Sequence, residues 1–251
     1  MKEITTDRLV TRIYDTRAEM GAQAAKDVAA AIQEILKEKP QVNMIFAAAP
    51  SQNEVLAALR NDENIPWDHI NAFHMDEYVG LGVSAPQSFA RFLKEALFDH
   101  VPLHSVNLLD GTSDPDTECE CYGALLNTFP VDIVVMGIGE NGHIAFNDPP
   151  VADFSDPLPI KRVKLDEICR MQQVHDGCFE TLDDVPKYAL TLTVPSLARA
   201  KYRFCVVPAP TKAQAVKATL TGEIGEHCPA TVLRTLENST MYLDRDSAAL
   251  L

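Results

Sequence analysis

Acid–base chemistry is suggested at two places in this chain. The first is His143, which ends the run Gly137-Ile-Gly-Glu-Asn-Gly-His143 and has Asn141 and Asp148 close by in sequence. An amide and a carboxylate that orient an imidazole through one ring nitrogen leave the other free to move a proton, as catalysis at a hydroxyl or ring oxygen requires. The plainer reading is a histidine satisfied by loop backbone. The second place is Asp76-Glu77. Adjacent side chains of an extended segment face opposite ways, so at most one of these acids enters a given pocket. Both are open to the reading of solvated surface charges, whereas burial would raise a carboxylate's pKa and make it a base near neutral pH. Ser51 and Lys212 stand at expected helix starts, where backbone N–H groups and one cation could hold a phosphate. Ser51 is equally open to a role as helix cap, and Lys212 to that of a surface lysine. Lys161, Arg162, Lys164 and Arg170 add positive charge, although charge runs are usually solvated faces.

Two other chemistries are excluded. The stretch Gly137 to Gly142 fits the dinucleotide pattern G-x-G-x-x-G, but that pattern needs a helix to begin at its third glycine. Here the chain runs into Pro149-Pro150 instead. The zinc pattern of nucleobase deaminases, H-x-E with a later P-C-x-x-C, is absent.

The elements that must position these residues alternate. Apolar positions at helical spacing predict a helix from Thr16 to Lys37, and Val42 to Ala49 reads as a buried strand. Ser51-Gln-Asn-Glu54 has the form of a capping box opening a helix to about Arg60. Ile70 to Phe73 is a strand, Pro86 to His100 a helix, Val106 to Leu109 a strand, Pro115 to Thr128 a helix and Val131 to Ile138 the strongest buried strand. Residues 139–159 are broken by Gly, Asn, Asp and Pro and read as a functional loop or lid. Lys161 to Leu165, Lys187 to Val194, Tyr202 to Val207 and Met241 to Leu243 are strands, with a helix from Thr211 to about Leu220. This alternation predicts one α/β domain over residues 1–251, with a mostly parallel sheet and helices on both faces. Ligands of such sheets bind at the carboxyl ends of the strands. That rule selects the turns at Ala48 to Ser51, His74 to Gly80, Gly139 to Asp148 and Pro208 to Lys212.

A net charge of −14 makes nucleic acid and anionic membrane unsuitable partners, and obliges any phosphate site to be local. Cys119, Cys121, Cys169, Cys178, Cys205 and Cys228 lack paired metal or redox spacing and read as free thiols. Met1 to Asp15 has no secretory apolar core, so a cytoplasmic protein is expected.

In His74-Met-Asp-Glu-Tyr-Val-Gly-Leu81, in Gly137 to Pro149 and in Val185-Pro-Lys-Tyr-Ala-Leu-Thr191, the chain resembles the glucosamine-6-phosphate deaminase family. The three segments stand in that family's order and spacing, and the similarity runs from the first predicted strand to the Lys212 helix. The resemblance implies a Rossmann-like α/β fold and a reaction, free of metal and cofactor, that turns glucosamine 6-phosphate and water into fructose 6-phosphate and ammonia. On this implication Asp76 is the base that moves the C2 proton to C1. His143 assists ring opening with Asn141 and Asp148 as partners, and Lys212 holds the phosphate with the turn at Ser51 and Gln52. Some relatives are hexamers, which makes a homo-oligomer an expectation.

Several positions depart from the family pattern. Ala47-Ala-Ala-Pro-Ser-Gln52 replaces a glycine-rich phosphate turn, Asp148 stands where glutamate is usual, and Asn141 where some members have aspartate. The family's phosphate-binding arginine has no match near Cys178, and Arg170 is the expected substitute. These departures suggest a divergent branch whose preferred sugar need not be glucosamine. Two rival readings are a 6-phosphogluconolactonase-type hydrolase, whose acidic segment usually reads DER where this chain has Tyr78, and a non-catalytic sugar-phosphate sensor.

Overall fold

The central strands are apolar on both faces, as a sheet covered on both sides requires. A computed structural model describes residues 1–251. The chain opens with a hairpin of β1 (Lys2–Thr6) and β2 (Leu9–Tyr14), followed by α1 (Arg17–Leu36), β3 (Val42–Phe46) and α2 (Asn53–Arg60). Next come β4 (Ile70–His74), the short β5 (Asp76–Tyr78), α3 (Phe89–Leu93), β6 (Ser105–Asn107), α4 (Pro115–Thr128) and β7 (Ile133–Met136). The last third holds β8 (Ile160–Lys164), α5 (Glu167–His175), β9 (Tyr188–Leu192), α6 (Val194–Ala198), β10 (Tyr202–Val207), α7 (Ala213–Thr221) and β11 (Ser239–Asp244). No helix is long and apolar enough to cross a membrane.

Eight strands form the main sheet in the order β1-β2-β11-β10-β7-β3-β4-β6, and every pair but β1–β2 is parallel. Alternation along each strand divides the core in two. Met44 and Phe46 of β3, Ile133 and Val135 of β7 and Phe204 and Val206 of β10 join one apolar layer with α1 and α2. Ile45, Val134, Met136, Cys205 and Val207 join the other with α4, α6 and α7. Met20, Val28 and Ile32 of α1 are fully buried, and each such side chain contributes about 1.5–3 kcal/mol by leaving water. The result is the expected Rossmann-like α/β domain.

Three expectations are corrected. Lys161 to Leu165 and Lys187 to Val194 do form strands, β8 and β9, but these lie outside the main sheet. They pair antiparallel with each other, and β9 pairs with β5, in a second sheet of three. The Ser51 to Glu54 capping box does not form, because residues Pro50–Gln52 make a 3₁₀ turn and Glu54 turns to Arg17 in a bidentate ion pair. The Pro86 to His100 helix begins only after Ser88, whose Oγ caps it by accepting from the Arg91 N–H, and its second half is a π-turn.

Parallel strands deliver their carboxyl ends to one edge. Because β10, β7, β3 and β4 are neighbours in the sheet, the four turns selected from sequence are neighbours in space.

Candidate active site

At that edge lies a cleft of about 890 Å³, counting its open mouth, lined by all four turns and by α5. Asp76 enters it because the chain leaves β4 and crosses to the second sheet, where Asp76 sits opposite Thr191. The pleat sends Glu77 the other way. There the Ser88 Oγ–H donates to it at 2.7 Å and the N–H groups of Tyr78, Phe89 and Ala90 at 2.9, 3.2 and 3.0 Å. Burial still raises the Glu77 pKa against those four donors. Asp76 has no hydrogen bond and is 8% exposed. Burial first, and the charge of Glu77 second, push its carboxyl well above the usual range. Much of that dryness comes from an aromatic cluster in which the Tyr78 ring lies 4.8 Å from Phe89 and 5.4 Å from both Phe146 and Phe179. The reading of Asp76 and Glu77 as surface charges is therefore excluded.

His143 is seated by the glycine loop after β7. Its Nδ1 lies 2.7 Å from Asn141 Oδ1 and 2.9 Å from Asp148 Oδ1, and Asn141 Nδ2 donates to the same Asp148 oxygen at 3.0 Å. Both partners thus take one ring nitrogen, and Nε2 is left without a protein partner. Burial would raise the Asp148 pKa, but hydrogen bonds from His143 and Asn141 and the His143 charge outweigh it and hold the carboxyl down. Gly139 makes the seat possible. A Cβ there would stand 2.0 Å from the imidazole Cε1 and 2.2 Å from Nδ1. Gly137 likewise lets the Ser51 turn approach, since its Cβ would meet Gln52 Nε2 at 3.0 Å.

The far end of the cleft is the cationic one. Lys212 is 6% exposed, and burial lowers its pKa while Asp176 and Glu140 oppose the shift. It forms no ion pair, so a buried ammonium faces the cleft beside the backbone opening α7. Ser51 lines the same end. Gln52 supports Ser51 from below, donating to Ser51 Oγ at 3.1 Å and to the Val206 carbonyl at 3.2 Å. Arg170 does not reach the cleft. Its guanidinium donates to the Leu182 and Val185 carbonyls at 2.6 and 2.9 Å, because α5 turns that face toward the following loop. The second cation is Arg17, held by Glu54 and by the Pro50 carbonyl at 3.1 Å. Sequence reading missed it, as it lies far upstream of any motif. Gln172, Gln173, Asp176 and Cys178 also line the cleft. None of them falls in a turn that the strand-end rule selects, so nothing in the sequence marked them.

Strain is stored beside Lys212. Ala209 has φ 85° and ψ 148°, a region glycine adopts freely and other residues at a cost of about 1–3 kcal/mol. Ala209→Gly is therefore expected to raise stability by about 1 kcal/mol after glycine's extra unfolded-state freedom is subtracted. Chemical denaturation measures this, and an unchanged or lower midpoint would show that the strain is not relieved.

Relatives are recognisable. The family model described as glucosamine-6-phosphate isomerases/6-phosphogluconolactonase matches residues 15–156. Glucosamine-6-phosphate deaminase of Bacillus cytotoxicus is 36% identical over 220 residues, covering 87% of this chain and 82% of that protein. The protein of the same name from Bacillus cereus strain G9842 is 35% identical over 243 residues, covering 96% and 88%. Among solved structures, a monomeric glucosamine-6-phosphate deaminase superposes with a TM-score of 0.87 at 29% identity, covering 96% of this chain and 99% of that one. The 6-phosphogluconolactonase of Trypanosoma brucei has a TM-score of 0.80 at 18% identity over the whole of both chains, which shows the shared fold alone. On the length of these matches, the chain belongs to the glucosamine-6-phosphate isomerase/6-phosphogluconolactonase family.

Proposed function

We propose that this chain is a glucosamine-6-phosphate deaminase, releasing ammonia and fructose 6-phosphate by side-chain acid–base chemistry. The observation that carries the reading is Asp76, a buried carboxylate with a raised pKa and no partner, in the same cleft as a His143 fixed through one nitrogen only. The phosphate lies against Lys212, the Ser51 turn and Arg17. His143 Nε2 passes the C1 hydroxyl proton to the ring oxygen as the C1–O bond breaks and the aldehyde forms. Asp76 then takes the C2 proton, the C–H electrons form a C1–C2 double bond as the C1=O π electrons move to O1, and O1 takes a proton from the 2-ammonium group to give an enol. Asp76 returns its proton to C1 as the nitrogen lone pair forms the C2=N bond, leaving a C1 hydroxyl. Water adds to the resulting C2 imine and expels ammonia. Residues 139–159 serve as the loop that presents His143. Every group named belongs to one chain, so turnover needs no second copy.

The test is release of ammonia and ketose 6-phosphate from glucosamine 6-phosphate and galactosamine 6-phosphate, with 6-phosphogluconolactone as the rival substrate. Ammonia from either amino sugar supports the reading and names the epimer, whereas lactone opening without ammonia overturns it. Lys212→Gln removes a buried charged donor worth about 1.5–3 kcal/mol, so KM should rise about tenfold to a hundredfold with kcat little changed. The more exposed Arg17→Gln should raise KM about fivefold. Unchanged KM in both variants would move the phosphate elsewhere.

A further inference from the structure

The carboxylate behind His143 is only half satisfied. Asp148 Oδ1 takes both partners already described, whereas Oδ2 is buried and has no hydrogen-bond partner, whether N–H, O–H or S–H. A carboxylate oxygen removed from water without a donor is costly, and the charge it carries is what orients the imidazole. One polar atom stands at hand. Cys169, fully buried on α5, places its Sγ with the Asp148 carboxylate and the His143 ring so that the three groups lie within 4.8 Å of one another.

We infer that Cys169 is a positioning residue for the proposed deaminase reaction, its S–H turning onto the half-satisfied Asp148 carboxylate and so fixing the group that fixes His143. The inference rests on that reading of the site for its kinetic consequence only. The same three atoms have the spacing of a cation site, but the chemistry favours a donor. His143 Nδ1 and Asp148 Oδ1 are already engaged with each other. Burial, together with the charges of Asp148, Asp76 and Asp166, pushes the thiol well up and keeps its proton on sulfur. A soft cation would need the thiolate.

The kinetic test compares Cys169→Ala with Cys169→Ser. Loss of one supporting hydrogen bond should lower kcat about fivefold at unchanged KM in the alanine variant, and serine, which keeps a donor, should recover most of it. In an Asp148→Asn background the alanine substitution should have no further effect. A serine variant as slow as the alanine variant, or an alanine variant as fast as the wild type, overturns the assignment. The direct readout is the S–H stretching band of Cys169, isolated as the infrared difference between wild type and Cys169→Ala. It should lie at the hydrogen-bonded position and move to the free-thiol position in Asp148→Asn. A band at the free position in the wild type overturns the inference whatever the kinetics, and it does so even if no amino-sugar phosphate is turned over.

Discussion

Asp76→Asn should lower the rate of ammonia release by about 10³-fold, the size of a lost general base, and at the same time make the protein more stable at neutral pH. The two effects share a cause. Asp76 is a competent base because burial and Glu77 disfavour its charged form, and the same penalty is felt by the fold whenever Asp76 ionises. Its folded pKa lies above its unfolded one, so the native state holds the proton more tightly. Whatever Asp76 contributes to stability is present at low pH and is lost as the pH rises through the folded value. Asparagine has no such loss. Denaturation midpoints should therefore favour the variant at neutral and alkaline pH and converge with the wild type below the ordinary aspartate value of 3.8. The wild-type kcat/KM should rise with pH along a limb displaced above the usual carboxylate range. A variant within tenfold of the wild-type rate would mean that another group takes the C2 proton.

The second large effect is expected at a residue that has no side chain of its own. Gly139→Ala introduces a methyl at 2.0–2.3 Å from three imidazole atoms, and the ring is what gives way. The Gly139 N–H donates to the His143 carbonyl at 2.9 Å, so loop and ring cannot move apart freely. Displacement of the ring by about 1 Å breaks the Nδ1 contacts and is expected to cost about 10²-fold in kcat/KM, with stability falling by only about 1 kcal/mol. Circular dichroism and steady-state kinetics separate the two. A fully active variant would show that His143 is not used in the pose described.

Some of this architecture could be read from the residues and some could not, for definite reasons. α4 was legible to the residue because Asp114 caps it and Pro115 occupies its first turn, both local effects. β7 was legible as an unbroken apolar run, and β10 as one interrupted only at Arg203. β8 and β9 were recognised as strands but assigned to the wrong sheet, because periodicity reports how many faces are buried and says nothing about which strand lies alongside. The opening hairpin went unseen. Its alternation of charged and apolar residues was weighed only against a secretory leader, although the same alternation marks a half-buried ribbon. α5 was missed because Glu167–His175 has no clean apolar stripe: its buried positions are Cys169, Gln172 and Gln173, two of them polar residues lining the cleft. Arg170 was chosen for its charge, but charge gives no direction, and its helix aims it at two carbonyls. Asp76, His143, Asn141, Asp148, Ser51 and Lys212 do converge, because parallel strands bring distant loops to one edge however far apart they lie in sequence.

The order of strands has a temporal consequence. β11 follows β10 in the chain and sits between β2 and β10, with Leu9 to Tyr14 paired along its whole length on one side. Until residues 239–244 are made, β2 of the hairpin lacks its second partner strand, and β10 offers an unpaired edge. Such an edge is a template for other chains. The sheet therefore closes at its interior only once β11 has been made, and until then β2 and β10 stand apart with a gap that a neighbouring chain can fill.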